Sequence, residues 1–325
     1  MDYINYVKQS PMQGMTGMWG GVQGSLMAAS GSTDGNGSYY GGQGFIQDSL
    51  EQYYFNIGSG GNASNFGDCT TPHTDGASTS GGTSYGASSR GIMAGGDGPI
   101  DTIDYVATTG SNASDFGELT AARSAPAACS NGIRGCIGGG NIGGSQANII
   151  DYITIETTGN ALDFGDLTQA RSGIDSISGG VRGVWARGQD PHFDVIDYVT
   201  IGTTGNASDF GECTQAVTFG CGTNSDPGSG QLRGVFMAGH SGVDNHVEYI
   251  TIDTAGNAQD WGELNSNHAY RCGGGTNGPR GFCGGGNSAT EEITYITIGS
   301  LGTSGSIGEL PTTCASATGW SGSPS

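Results

Sequence analysis

Cations are the scarcest feature of this sequence. Its 325 residues carry ten Lys and Arg against thirty Asp and Glu, a formal charge of −20, and the one lysine is Lys8. A surface this acidic repels phosphate backbones and anionic headgroups, which excludes nucleic acid and membrane insertion among the expected partners. It suits solubility in salt and weak attraction of divalent cations, with no other cofactor expected. Long apolar runs are also missing. No stretch approaches the roughly 20 residues of a membrane span, and no signal peptide is expected after Met1. The eight cysteines form no C-x-x-C and no Cys/His zinc spacing. Cys69 and Cys213 stand where Leu119 and Leu167 stand in other copies of a repeat, and Cys136 and Cys283 fall on a repeated strand. The cysteines therefore read as buried free thiols. Serine is plentiful, but neither G-x-S-x-G nor a partnered base accompanies it, so nucleophilic catalysis has no support.

Glycine is what the chain has in excess, 65 residues, yet it lacks a G-X-Y period and recurs at fixed places in a longer pattern. The stretch 134–171, RGCIGGGNIGGSQANIIDYITIETTGNALDFGDLTQAR, shows the pattern most fully. Its RG-x-x-GG piece recurs at Arg90 and Arg280 and, altered, at Arg182 and Arg233, with Gln23-Gly24 read as the first copy. The alternating I-D-Y-I-T-I piece recurs at Ile103, Ile196, Val247 and Ile293, with residues 51–55 as a degenerate copy. From Asp104 to Asp151, Asp197 and Glu248 the steps are 47, 46 and 51 residues. Such a period means one supersecondary unit per repeat, which buries its apolar face only against the next copy.

Within a repeat the pattern predicts four short strands, at about 121–129, 134–139, 150–155 and 161–167. The third alternates apolar and polar residues, as a half-buried strand does. Asn131-Gly132 and Gly159-Asn160 suit the positive-φ positions of tight hairpins. Four strands per repeat joined by hairpins describe a propeller blade, and the fold class is all-β. The pieces count to six blades, with seven including a partial one as the alternative. The strand at 312–319 has no successor, so it is expected to pair with a strand at about 24–29 and close the ring. This divides the chain into a docking arm, 1–22, and a propeller, 23–325.

The order of a glycine pair, a tyrosine, an aromatic and then an arginine resembles the kelch motif. Here those residues are Gly95, Gly96, Tyr105, Phe116 and Arg123, and again Gly139, Gly140, Tyr152, Phe164 and Arg171. Tyr198, Phe210, Tyr249, Trp261 and Tyr295 continue the series. The likeness spans about 24–319. It departs where Arg187 replaces the first glycine and where the arginine place holds His73, Val217, His268 and Cys314. More narrowly, IDYITI-x-TTGNA-x-DFG-[DE]-LT looks like repeats of virion and tail-associated proteins of marine tailed phages. That resemblance implies a non-enzymatic virion component mounted on the particle, with other virion proteins, further copies of itself and a host-surface glycan or protein as partners. A capsid decoration or knob protein and a glycan-binding propeller are the alternatives.

Candidate functional residues divide into repeated and unrepeated ones. The acid two places after the aromatic occurs in all six copies: Asp68, Glu118, Asp166, Glu212, Glu263 and Glu309. Sixfold repetition supplies no asymmetric catalytic pair, so these read as a solvated rim, and no catalytic or metal residue is expected. The RG arginines are expected to bind repeated carboxylates or blade-edge carbonyls. Asn62, Asn112 and Asn206 begin N-A-S sequons, which their place in the repeated hairpin explains without a glycan. Unrepeated segments are the expected recognition elements. They are Met12, Met15, Met18 and Trp19 for partner docking, and Tyr39, Tyr40, Phe45, Trp185 and Arg187 for surface recognition, besides the loop 224–230.

Overall fold

The structure, a computed structural model, describes residues 42–81, 90–108, 110, 112–189, 191–224, 232–240, 242, 245–286, 291–302 and 304–322. The expected docking arm with Met12, Met15, Met18 and Trp19 lies outside the described residues, as do Tyr39 and Tyr40. Among the described residues there is no helix, and apart from the short hairpin Asn141–Ile142 with Ser145–Gln146 the strands form six four-stranded antiparallel sheets arranged as a β-propeller.

Blade 3 shows how the repeat folds. From the axis outward its strands are Ala127–Ser130, Arg134–Gly138, Ile149–Thr154 and Leu162–Asp166. Asn131 makes the first hairpin, its Oδ1 accepting from the backbone N–H of Ile133 at 3.1 Å and Arg134 at 2.7 Å. The third strand is buried on both faces, Ile150 packing toward blade 4 and Ile153 toward blade 2, with Asp151 buried as well. Register slips by one residue between Ile150 and Asp151 where the outer strand inserts Phe164, and every blade repeats this bulge. The bulge explains the D-F-G triplet. It turns the aromatic inward, and Gly165, at φ +146°, leaves room for the next blade: a Cβ there would stand 2.5 Å from the Gly205 carbonyl.

Ring closure follows the expected scheme with a corrected partner. Ala317–Gly322 pairs with Gln43–Asp48, placing Trp320 opposite Phe45, and not with a strand at 24–29. Gln43-Gly44-Phe45-Ile46 is therefore the RG-x-x equivalent of blade 1. Only Ser49 and Leu50 separate this strand from Glu51–Asn56, the tight hairpin a blade needs. Phe45, expected in a surface-recognition segment, thus lies on a strand of the ring. Phe45 stacks on Trp320 with centroids 3.9 Å apart and planes 3° apart, and both side chains are buried.

Six apolar clusters hold the ring, one at each interface between neighbouring blades. The inner strands circle the axis, and their hydroxyls bind across blades: Ser176 Oγ donates to Ala128 O at 2.8 Å and Ser80 Oγ to Ser321 O at 2.9 Å. Small Ser, Thr, Ala and Gly residues fill these strands because six of them must converge on one axis.

Candidate functional site

The polar residues of the repeat meet at the blade interfaces. Five of the third strands bury one polar side chain toward the preceding blade: Asp104, Asp151, Asp197, Glu248 and Thr294. The threonine of the preceding D-[LC]-T or E-[LC]-T piece caps four of them with its hydroxyl and backbone N–H. Thr168 does so to Asp197 at 2.6 and 3.1 Å, and Thr214 to Glu248 at 2.6 Å for both bonds. The repeat position held by Arg123 and Arg171 supplies a second partner. Arg171 Nη2 lies 2.8 Å from Asp197, Arg123 binds Asp151, and His73 Nε2 lies 3.2 Å from Asp104. Burial opposes ionisation of Asp104, but hydrogen bonds from His73 and Thr70 outweigh it and hold its carboxyl below the usual range. Charge is matched pair by pair. Where the partner is His268, the third strand carries Thr294, 2.9 Å away, and where it is Cys314, the third strand of blade 1 carries Tyr53.

One interface breaks the scheme. Val217 holds the arginine place, yet Glu248 is buried opposite it, and Arg187 reaches across instead. Its Nη2 and Nε bind Glu248 Oε1 at 2.7 and 3.0 Å, and its Nη1 binds Asp175 at 3.0 Å and Ala238 O at 3.1 Å. Arg187 sits at φ +63°, where other blades use Gly95, Gly139 and Gly285, and a left-handed non-glycine costs about 1–2 kcal/mol. Two carboxylates thus share one guanidinium. Burial pushes the Asp175 carboxyl up to about 7 despite Arg187. Burial also opposes ionisation of Glu248, but His246, Arg187 and Thr214 together hold it well below the usual range. The expectation that Trp185 and Arg187 form a surface-recognition loop is therefore corrected, as is that for Phe45. All three are buried between blades, Trp185 with its indole N–H on Ala127 O at 3.0 Å.

The remaining repeated residues bind blade to blade as well. Arg134 lies 4.3 Å over the Tyr152 ring and donates to Ile201 O of blade 4 at 2.9 Å, and Arg90, Arg182, Arg233 and Arg280 repeat both contacts. Of the two expected partners, the carbonyls are the ones observed for these five. Tyr152 meets Phe164 edge to face, as Tyr105 meets Phe116 and Tyr198 meets Phe210. The Asn of the N-A piece accepts from the outer-strand acid of the preceding blade, Asn206 from Asp166 N–H at 3.2 Å and Asn62 from Glu309 N–H across the closure. The rim acids themselves face solvent, except the half-buried Asp166. Among the histidines, His240 packs 3.8 Å from the Tyr270 ring and His246 Nε2 lies 2.9 Å from Thr214 Oγ1.

Two features are not sixfold. The first is a narrow axial cavity of about 110 Å³ lined by the inner strands. One mouth is ringed by backbone: Ala125 N–H donates to Asp75 O, Gly173 to Ala125, Phe219 to Gly173, Arg271 to Phe219 and Ala317 to Arg271. Within that ring Arg271 pairs with Asp75 across the opening and stacks 4.2 Å over Phe219. The second feature is a group of three buried thiols, Cys221, Cys272 and Cys283, whose sulfurs all lie within 4.8 Å of one another. Burial pushes the Cys283 thiol up. Cys221 and Cys272 line the cavity, and Cys283 lies behind them in the second strand of blade 6. Spacing along the chain does not reveal this group, because its members come from two blades. The available signal was that Cys221 and Cys272 stand 51 residues apart, close to one repeat.

No protein-family model matches the sequence, and no curated protein matches it.

Proposed function

We propose that this chain is a non-enzymatic structural component of a tailed-phage virion, a kelch-like propeller mounted on the particle, tail- or fibre-associated, that serves assembly and attachment to the host surface. The observation that carries the reading is where the repeated polar groups go. Arginines, buried acids, capping threonines and hairpin asparagines bind one blade to the next, which is the economy of a rigid mount and not of a catalytic cleft. All nine arginines of the chain are engaged in such contacts or at the cavity mouth, so the rim presents acids to solvent. The repeat phrase that resembles phage virion proteins supplies the particle. Such a role needs no cofactor. Residues 1–22 are the docking arm in this proposal: the ring closes through Gln43–Asp48 without them, and Met12, Met15, Met18 and Trp19 suit an adaptable apolar contact with another virion protein.

The test is association with particles. Density-gradient-purified particles from a culture expressing the chain should contain it in fixed stoichiometry to the other virion proteins, and antibody labelling should place it at one structural location. A chain lacking residues 2–20 should fold with the parent circular-dichroism spectrum and be missing from particles. A full-length protein found only in the soluble lysate would overturn the proposal.

A further inference from the structure

We propose that Cys221, Cys272 and Cys283 form a trigonal three-thiolate site for a monovalent, thiophilic d10 cation, with copper(I) as the fitting ion. The inference is independent of where the ring is mounted. Three sulfurs around one ion at about 2.3 Å stand about 4.0 Å apart when trigonal, so a group with all separations within 4.8 Å needs little contraction. A closed zinc site would require a fourth donor, and among the described residues no further Cys, His, Asp or Glu joins the three. Soft ligands alone, in a buried setting, select copper(I) over harder ions.

The surrounding chain supports the assignment independently of the thiols. Cys283 occupies a position that the other blades fill with Ile46, Met93, Ile137, Trp185 and Phe236, so a thiol stands where a side chain as large as tryptophan packs elsewhere. Gly274, opposite Cys283 in the sheet, leaves the Cys221 side chain room: a Cβ there would stand 3.0 Å from both the Cys221 Cβ and Sγ. Ser78, Ala128 and Ser176 stand at the same place in three other blades, and Gly222 and Gly319 in the remaining two. An ion also has a route, because Cys221 and Cys272 line the axial cavity. Each thiol that ligates releases its proton to solvent, so uptake strengthens as pH rises.

The experiment is an anaerobic titration of reduced, full-length protein with copper(I), delivered as its acetonitrile complex and competed with bicinchoninate. X-ray absorption of the loaded protein should show three sulfurs at about 2.3 Å. Cys272→Ala should bind one equivalent fewer than wild type, while Cys69→Ala, which removes a buried thiol remote from the group, should match wild type. Equal uptake by wild type and folded Cys272→Ala would overturn the proposal. So would a two-sulfur environment in the wild-type protein, a result that does not depend on any variant folding.

Discussion

A chain lacking residues 311–325 should fail to form a stable monomeric ring. Its melting midpoint should fall by at least about 10 °C, and the protein should sediment as oligomers. The deletion removes Ala317–Gly322, the inner strand of blade 1, and leaves Gln43–Asp48 as an unpaired edge that invites pairing with other chains. It also uncovers both faces that Trp320 and Ala317 cover, against Phe45 and Met93 on one side and Phe282 on the other. Trp320→Ala isolates the packing part. The indole is buried and stacked on Phe45, so its loss should cost about 3–5 kcal/mol in chemical denaturation with the ring still closed. A truncated protein that stays monomeric and keeps the parent melting curve would contradict closure by this strand.

The largest loss from one substitution is expected at Arg187→Met. Removing one partner of a buried ion pair costs about 3–5 kcal/mol, and here Asp175 and Glu248 lose theirs together. The pH dependence makes the prediction specific. Glu248 is held low in the folded protein, so its contribution is present above its ordinary value and is lost as pH falls through the folded one. Asp175 is raised from 3.8 to about 7, so its contribution is present at acid pH and is lost as pH rises across that interval. In Arg187→Met the Asp175 carboxyl loses the charge that opposes its rise, and stability should decline from pH 5 to 8 and over a wider range than in the wild type. Asp175→Asn should act oppositely, matching wild type at pH 5 and exceeding it at pH 8. Urea denaturation at the two pH values measures both, and an Asp175→Asn protein weaker than wild type at pH 8 would show that the carboxylate is a net gain beside Arg187.

Blade architecture was legible in the sequence because hairpin glycines, strand alternation and the D-F-G triplet each have a local cause. In blade 3 the predicted second strand differs from the observed one by one residue at its end, and the predicted third strand is shifted by one residue. The first blade was misplaced because Gln23-Gly24 and Gln43-Gly44 look alike, although Gln43 lies 47 residues before Arg90, in step with the repeat. What local pattern conceals is the far end of a long side chain. Asp151 and Asp197 read as the polar face of a half-buried strand, whereas each is fully buried against the preceding blade. Arg187 read as an exposed departure from the motif because the vacancy it fills, opposite Val217, lies on the following loop. The thiol group was hidden for the same reason, since its geometry exists only once blades 5 and 6 are side by side.

Amide hydrogen exchange tests the closed ring most directly. Amides at one end of a chain are ordinarily the first to open, but in this ring Ala317–Gly322 is an inner strand whose neighbours are blades 2 and 6 as well as its own sheet. Peptides covering 317–322 should therefore exchange as slowly as those covering Arg134–Gly138 in blade 3, both limited by opening of the whole ring. Exchange of 317–322 within seconds, while Arg134–Gly138 stays protected, would contradict the account.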